Sequence, residues 1–233
     1  FISTLLPVEE NEETGFIFMA TANGTVKKTP IEQFSRPRSV GLIAIDLEQG
    51  NSLVRAVYTD GGRDVMLFAS SGKVTRFKES DVRAMGRTAR GVRGIRLVGG
   101  HRVVACIIPD EEGAILTASQ HGYGKRTPVV EFPLRGRGAQ GVIGMQTSER
   151  NGNLVGAVQV TAADEIMLIS NQGTLVRTRA DEVSLLSRNT QGVRLINVRQ
   201  GEHLVGVERI AEDDVDEDGN DAEAADNPDE ARD

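Results

Sequence analysis

The 233-residue sequence predicts an all-β, propeller-like array of four-stranded blades. Two observations favour this fold class. A pattern built around two glycines recurs four times at intervals of 48 to 51 residues, and no segment combines helical length with a 3.6-residue apolar period. A period of about 50 residues is typical of a propeller blade. The two glycines of successive repeats are Gly24 and Gly41, Gly72 and Gly91, Gly122 and Gly141, and Gly173 and Gly192.

Each repeat is predicted to begin with a β-hairpin. An apolar run enters every first glycine, as residues 65–69 do in the second repeat. The dipeptides Asn23-Gly24 and Ser71-Gly72 predict tight turns, because glycine adopts a positive φ at no steric cost. Ten residues after the first glycine an apolar side chain recurs, and its register predicts a core anchor. These anchors are Phe34, Val82, Phe132 and Val183.

The second half of each repeat contains a polar loop, the second glycine and two further predicted strands. The third strands are predicted at 42–45, 92–97, 142–145 and 193–198, and the fourth strands at 53–58, 103–108, 154–160 and 204–210. Residues 1–6 match a fourth strand, so we expect them to be the last strand of a preceding blade. The predicted repeats span about 8–58, 59–108, 109–160 and 161–210 of a domain that covers residues 1–211.

The charge of the chain is divided between two segments. Residues 212–233 carry 12 acidic side chains and one basic side chain, so the rest of the chain is basic although the total charge is -7. A segment with so few large apolar residues cannot bury enough surface to offset its ordering entropy, and we predict a disordered acidic tail. Two roles stay open for the tail: a solubility segment, or a segment that folds back on the basic domain.

Composition excludes several classes of protein. The chain has no Trp and only 4% aromatic residues, which argues against a surface that stacks single-stranded bases. Its single cysteine, Cys106, excludes an internal disulfide. No apolar run reaches 18 residues, so we expect no membrane partner. Any binding of nucleic acid therefore depends on charge.

Basic residues occupy two fixed places in the repeat. The first basic column lies four residues after each first glycine and contains Lys28, Arg76, Arg126 and Arg177. The second basic column lies in the loop before each second glycine and contains Arg36 with Arg38, Arg87, Arg137 and Arg188. A single surface arginine is usually only solvated, but the same places filled in all four repeats favour a shared anion-binding edge.

A duplex nucleic acid suits such an edge, because it presents a wide surface of phosphate charge. Small residues around the loop arginines, as in residues 134–141, allow that surface to approach closely. The candidate DNA contacts are Lys27, Lys28, Arg36, Arg38, Lys73, Arg76, Lys78, Arg83, Arg87, Arg90, Arg93, Lys125, Arg126, Arg135, Arg137, Arg177, Arg179 and Arg188.

Apparent catalytic and ligand-binding motifs are outweighed by their context. Tyr123 precedes Arg126 in a predicted turn with no acidic metal cluster nearby, and the glycines of 136–141 match a dinucleotide fingerprint with no helix after them. The acidic run at 214–219 lacks the glutamate that completes a calcium loop. We therefore predict no catalytic residue, no metal site and no cofactor in this chain.

Several segments resemble the C-terminal domain of the bacterial DNA gyrase A protein. The shared strings are residues 20–29, 76–86, 91–97, 121–127, 156–160, 173–179 and 188–193. The resemblance runs from about Phe1 to Ala211. It implies a β-pinwheel, which is a propeller-like disc of six blades that exchange strands with their neighbours and bend DNA around a basic perimeter.

One departure from this family concerns its hallmark motif. The seven-residue gyrase A box, QRRGGKG, lies in the first blade of the family, and no segment of this sequence matches it. Because residues 1–6 match a fourth strand, we expect roughly two N-terminal blades, with the box among them, to precede Phe1. In the family, the box lets the domain close its DNA wrap, so the resemblance does not imply full wrapping by this chain alone.

The resemblance implies a non-catalytic, DNA-wrapping domain of a type II topoisomerase. The expected partners are duplex DNA, bound through its phosphates with little sequence specificity, the catalytic core of the same gyrase A polypeptide, and the gyrase B protein in an A2B2 enzyme. The whole enzyme is expected to use ATP and Mg²⁺ in the bacterial cytoplasm. Two alternatives stay open: the C-terminal domain of topoisomerase IV, and a propeller that binds proteins or peptides.

Overall fold

The residues that the computed structural model describes are Thr4, Leu6, 14–35 and 39–210. They form fifteen β-strands and four short 3-10 turns, and the predicted all-β, propeller-like fold class is confirmed. Most of the predicted leading strand 1–6, the loop arginines Arg36 and Arg38, and the predicted tail 212–233 lie outside the described residues.

Each repeat opens with the predicted antiparallel hairpin, and a 3-10 turn follows it. The hairpins are β1 (Phe16–Thr21) with β2 (Thr25–Pro30), β4 (Asp64–Ala69) with β5 (Lys73–Lys78), β8 (Ala114–Ser119) with β9 (Tyr123–Pro128), and β12 (Glu165–Ser170) with β13 (Leu175–Arg179). The turn glycines have the positive φ that such turns require, for example 75° at Gly72. The 3-10 turns cover Ile31–Phe34, Glu79–Asp81, Val129–Glu131 and Ala180–Glu182.

The fourth strand of each repeat pairs with the first strand of the same repeat. These strands are β3 (Leu53–Thr59), β7 (Val103–Ile107), β11 (Leu154–Val160) and β15 (Leu204–Ile210). They lie close to their predicted places, because an apolar run between turn residues is a local signal for a strand.

The third strands are much shorter than predicted. They are β6 (Val92–Arg93), β10 (Val142–Ile143) and β14 (Val193–Arg194). The ladder of β6 ends early because the next two amides, of Gly94 and Ile95, both donate to the carbonyl of Gly24 at the hairpin turn. The predicted strand at 42–45 is not formed, because no described sheet precedes the first repeat to receive it.

Each third strand belongs to the sheet of the preceding repeat. Strand β6 pairs with β2, β10 pairs with β5, and β14 pairs with β9. Three sheets therefore have four strands, in the orders β3-β1-β2-β6, β10-β5-β4-β7 and β11-β8-β9-β14, whereas the last sheet, β13-β12-β15, has three described strands. This is the exchange of strands between neighbours that the resemblance implied.

The hydrophobic core lies between consecutive sheets. One cluster joins Phe18 and Val26 of the first sheet to Leu67 and Phe77 of the second, and two similar clusters join the later sheets. Each fully buried side chain of this size contributes about 1.5–3 kcal/mol. Three predicted anchors are buried, whereas Phe34 packs half-buried beside the first sheet. The core therefore holds neighbouring repeats in register and aligns their loops.

Candidate nucleic-acid interface

The first basic column lies mainly at the joints between repeats. Lys28 is 7% exposed and forms an ion pair with the fully buried Glu79 of the next repeat, with 3.7 Å between Nζ and Oε1. Its Nζ also donates to the Glu79 carbonyl and lies 4.7 Å from the centroid of the Phe16 ring. The Glu79 carboxylate accepts a 2.6 Å hydrogen bond from Thr59. Lys28 is therefore a contact between repeats.

Arg76 and Arg126 repeat this arrangement with guanidinium groups. Arg76 donates from Nη1 to the carbonyl of Val129 in the third repeat, and from Nε to the carboxylate of Asp64 at 2.9 Å. Arg126 donates from Nε to the carbonyl of Val183 in the fourth repeat at 2.8 Å. Both carbonyls lie at or directly after the 3-10 turn of the next repeat. These arginines are half-buried, and their main contacts bind each repeat to the next.

Arg177, the last member of the first basic column, has a different environment. No described repeat follows the fourth, and the Arg177 side chain is 60% exposed and paired with Glu165. Leu175 on the same strand is also exposed, because β13 has no third strand beside it among the described residues. Arg177 therefore keeps an accessible guanidinium.

Two of the predicted DNA contacts, Lys27 and Lys125, have fully buried side chains. Their Nζ atoms donate instead to main-chain carbonyls of the arginine loops. The pKa of each amine is lowered to about 8, mainly by burial, and for Lys27 the charge of Arg87 contributes to this lowering. For Lys125, Glu131 opposes the lowering of the pKa and Arg188 adds to it. No phosphate surface can approach either amine in this arrangement.

The second basic column makes a repeated contact at the outer edge of the sheets. In each described loop, Nη1 of the arginine donates to a carbonyl two residues after the second glycine of the preceding repeat. These bonds join Arg87 to Ile43 at 3.2 Å, Arg137 to Arg93 at 3.1 Å and Arg188 to Ile143 at 2.7 Å. A guanidinium has five N–H donors, so each arginine keeps donors for a phosphate.

The loops and the third strands alternate along one continuous strip. The amide of Arg96 donates to the carbonyl of Ala139 in the next loop at 2.8 Å, and the amide of Gln146 donates to that of Thr190 at 2.9 Å. Together with the arginine bonds above, these contacts place the loops of consecutive repeats side by side. We call this surface the arginine strip; it comprises the loops 85–91, 134–141 and 186–192 with the third strands between them.

The remaining predicted contacts differ in exposure. The half-buried members are Lys73, Arg76, Arg87, Arg126 and Arg188. The exposed members are Lys78, Arg83, Arg90, Arg93, Arg135, Arg137, Arg177 and Arg179. The strip therefore presents most of its predicted cations to solvent.

Several exposed cations already bind carboxylates. These ion pairs are Lys78 with Asp64, Arg90 with Asp46 and Glu48, Arg177 with Glu165, and Arg179 with Asp181. Such exposed ion pairs contribute about 0–1 kcal/mol each, so a phosphate can replace the carboxylate. Within residues 14–35 and 39–210, Arg83, Arg93 and Arg135 form no ion pair and are readily available to a ligand.

Two exposed arginines that were not among the predicted contacts flank Tyr123. The guanidinium carbons of Arg150 and Arg194 lie 5.0 and 5.2 Å from the centroid of the tyrosine ring, and both side chains donate to its hydroxyl. These hydrogen bonds lower the pKa of Tyr123, and the bond from Arg150 has the largest effect. Arg194 has the same place in its repeat as Arg93, so the repeat pattern could have identified it as a candidate contact. Arg150 had no such signal, because the other repeats have glycine at its place.

The chemistry of the interface is that of its basic side chains. No group of three or more His, Cys, Asp and Glu side chains there is arranged to hold a metal ion. No helix among those residues is long and apolar enough to cross a membrane. The arginine strip offers guanidinium groups, whose chemistry is the binding of phosphates and carboxylates.

Comparison with known proteins relates the chain to one family. A family model described as DNA gyrase C-terminal domain, beta-propeller, matches residues 15–60, 63–110, 114–161 and 164–211. The chain is 64% identical over 202 residues to the DNA gyrase A protein of Pseudomonas aeruginosa and 54% identical over 231 residues to that of Escherichia coli K12. These alignments cover 86% and 98% of this chain but 22% and 26% of the relatives, so the chain spans about a quarter of their length.

Solved structures agree in fold. The C-terminal domain of a DNA gyrase A matches with a TM-score of 0.77 and 26% identity, covering 85% of this chain and 67% of that one. The C-terminal domain of a DNA topoisomerase IV matches with a TM-score of 0.82 and 25% identity, covering 88% and 64%. Fold alone does not separate the two, but the family model and the sequence identities do. The chain belongs to the family of C-terminal β-propeller domains of DNA gyrase A.

Proposed function

We propose that this chain is a non-catalytic domain of DNA gyrase, a type II topoisomerase, and that it binds duplex DNA and bends it around its basic edge. The observation that carries the proposal is the arginine strip, in which the same arginine recurs at the outer edge of consecutive repeats. Membership of the family supports the same conclusion, because the relatives are DNA gyrase A proteins.

Contacts to DNA phosphates do not depend on the base sequence. Duplex DNA carries one charge about every 1.7 Å of its axis, and cations that neutralise these charges release counterions. Bending a site of about 20–30 bp through 40–90° costs about 1–6 kcal/mol, which several phosphate contacts offset. A row of arginines along a curved edge therefore bends DNA with little dependence on sequence.

The proposed direct contacts are the accessible cations of the arginine strip, of the second repeat and of the last repeat. They are Lys73, Lys78, Arg83, Arg87, Arg90, Arg93, Arg135, Arg137, Arg177, Arg179 and Arg188. Arg36 and Arg38, outside the described residues, stay predicted contacts. Lys28, Arg76 and Arg126 contribute by joining the repeats that carry the strip.

In the whole enzyme, we propose that the bent DNA presents a neighbouring stretch of the same molecule to the cleavage gate, so that strand passage introduces negative supercoils. The cutting and the use of ATP and Mg²⁺ belong to the catalytic core of the same gyrase A polypeptide and to the gyrase B protein, in an A2B2 assembly in the bacterial cytoplasm. This domain then sets the direction of strand passage and cuts nothing.

Salt dependence tests the binding mode. If six phosphates are contacted, affinity for duplex DNA should fall by about 10³ or more between about 50 and 200 mM salt. The double variant Arg93→Gln, Arg135→Gln should lower the slope of log K against log salt by about two. Arg55→Gln is the matched control, because Arg55 is exposed on β3, at the opposite edge of the first sheet from β6. Affinity that hardly changes with salt would instead favour a propeller that binds proteins.

Topology separates gyrase-type wrapping from a second candidate function, DNA binding without a strong wrap as expected for the C-terminal domain of topoisomerase IV, a domain that matches this fold with a TM-score of 0.82. A relaxed DNA circle is incubated with the full-length polypeptide that carries this domain, so that the expected box-bearing blades are included, and then with an enzyme that nicks and closes DNA. A gyrase-type wrap should leave positive writhe in the purified circle. Binding without writhe would disfavour wrapping and support the topoisomerase IV alternative.

A further inference from the structure

The buried side chain of Lys27 binds the main chain of the arginine loop in the second repeat. Its buried Nζ donates to the carbonyl of Arg87 and, at 2.6 Å, to that of Ala44. The amide of Arg87 donates to Gln33 Oε1 at 3.1 Å, and Nη1 of Arg87 donates to the carbonyl of Ile43. The main chain of Arg87 is thus fixed at both its N–H and its C=O, while its guanidinium lies in the strip.

Lys125 repeats this arrangement at the joint between the third and fourth repeats. Its buried Nζ donates to the carbonyls of Ser187 and Arg188 at 2.6 and 2.5 Å, and to Thr190 Oγ1 at 3.1 Å. The amide of Arg188 donates to Glu131 Oε2 at 3.1 Å, and Glu131 has the same place in its repeat as the glutamine below Arg87. Three contacts of the loop arginine therefore recur at two separate joints: the buried lysine donates to its carbonyl, its amide donates to a Gln or Glu side chain, and its Nη1 donates to a carbonyl after the second glycine of the preceding repeat.

The joint between the second and third repeats lacks the lysine. Thr75 takes its place, and the buried Oγ1 of Thr75 has no hydrogen-bond partner among the described residues. A cavity of about 170 Å³ separates Thr75 from part of the loop 134–141. The loop still approaches closely at one point, since a Cβ added at Gly141 would lie 2.9 Å from that Oγ1. The main chain of this loop therefore has no contact with a buried lysine amine at this position.

We propose that Lys27 and Lys125 are positioning residues for DNA binding, an inference that rests on the function proposed above. A charged amine that binds loop carbonyls fixes the loop before DNA arrives, so the loop arginine loses less conformational freedom on binding. The lysines act through Arg87 and Arg188 and touch no phosphate themselves. The loop 134–141, whose main chain no buried lysine binds, then has the greatest conformational freedom of the three loops before DNA binds.

Lys125→Met tests the proposal, because methionine has a similar length and no donor. Amide hydrogen exchange in residues 186–192 should become about tenfold faster. The loop 85–91, which Lys27 holds, should be unchanged and is the internal control. Affinity for a duplex of about 30 bp at fixed salt should fall about threefold to tenfold, but the slope of log K against log salt should not change, because no phosphate contact is removed.

Thr75→Lys is the reciprocal variant, which places an amine in the cavity. Amide exchange in residues 134–141 should slow by about tenfold. This measurement decides the proposal even if Lys125→Met does not fold. Unchanged exchange in the affected loop of either variant overturns the proposal.

Arg188→Gln separates failure of this proposal from failure of the DNA interface. Faster loop exchange in Lys125→Met with unchanged DNA affinity overturns the positioning role, provided that Arg188→Gln does weaken binding. If Arg188→Gln also leaves the affinity unchanged, the interface at this loop has failed. A salt slope that falls by about one in Lys125→Met, with unchanged exchange, makes the lysine a phosphate contact and overturns the proposal.

Discussion

The joint between two repeats and the free edge of the last repeat use one sequence pattern in two ways. At the joint after the second repeat, a Cβ added to Gly72 would lie 2.0 Å from the carbonyl of Met145 in the next repeat. At the free edge, Gly173 has the same place and nothing within 4 Å. A recurring residue therefore has no fixed role, because its role depends on the repeat that packs against it.

The first basic column shows the same difference. Lys28, Arg76 and Arg126 bind the following repeat, whereas Arg177, with no described repeat beside it, is 60% exposed. Three of the four basic side chains at this position therefore bind one repeat to the next. The accessible charges lie in the arginine strip and on the second and last repeats.

The largest expected effect comes from Lys28→Met. This change leaves the Glu79 carboxylate buried without its cation, and breaking a buried ion pair in this way costs about 3–5 kcal/mol. We expect that loss in the unfolding free energy measured by urea denaturation. The matched change at the free edge, Arg177→Met, removes an exposed pair and should cost about 0–1 kcal/mol. Equal losses at the two positions would remove the distinction between joint and edge.

Gly72→Ala should have the next largest effect. Alanine at a φ of 75° is strained, and its methyl group would also meet a backbone carbonyl that cannot easily move, so we expect a loss of about 2–5 kcal/mol. Gly173→Ala, at a φ of 84° in open space, should lose only about 1–2 kcal/mol. Thermal unfolding of the two variants measures the difference. A Gly173 variant as unstable as the Gly72 variant would show that turn strain alone sets the cost.

The hairpins and the anchors could be predicted from the sequence because their signals are local. Gly72 forms its turn, and Val82 and Phe132 are buried, at the predicted places. The length of the third strands could not be predicted in this way. Strand β6 ends where Gly94 turns toward a carbonyl of the preceding repeat, and that contact has no signature near Gly94 in the sequence.

The candidate interface was harder to predict for a related reason. Lys27 and Lys28 both appear as cations in the sequence, but carbonyls and a carboxylate of the neighbouring repeat bury them. Carbonyls occur at every residue, so their arrangement around a lysine is visible only in the fold. Arg93 on β6 and the loop residue Arg135 had a local signal in the glycines beside them, and both are exposed.

The buried lysines at the joints also predict a pH effect. Burial lowers the pKa of Lys27 and Lys125 from 10.5 to about 8, whereas Val176 has this place in the last repeat. Between about pH 8 and 10.5 the unfolded chain holds more protons than the folded chain, so stability rises with pH in this window. The chain should therefore gain stability relative to the double variant Lys27→Met, Lys125→Met as the pH rises from about 7.5 to about 10.

Urea denaturation of both proteins at the two pH values measures this difference. The other titrating groups cancel, because both proteins share them. A difference that stays constant, or that shrinks as the pH rises, would contradict the assignment of a lowered pKa to the two amines.

The smallest expected effect compares Arg126 at a joint with Arg177 at the free edge in DNA binding. Arg177→Gln removes an accessible guanidinium, so the slope of log K against log salt should fall by about one. Arg126→Gln removes a bond to the carbonyl of Val183, so it should lower the unfolding free energy by about 1–3 kcal/mol and leave the salt slope unchanged. A lower slope for Arg126→Gln would mean that DNA competes with the carbonyl for this guanidinium. In that case the joints would open when the strip is occupied, and the repeats would not be a rigid frame for the DNA.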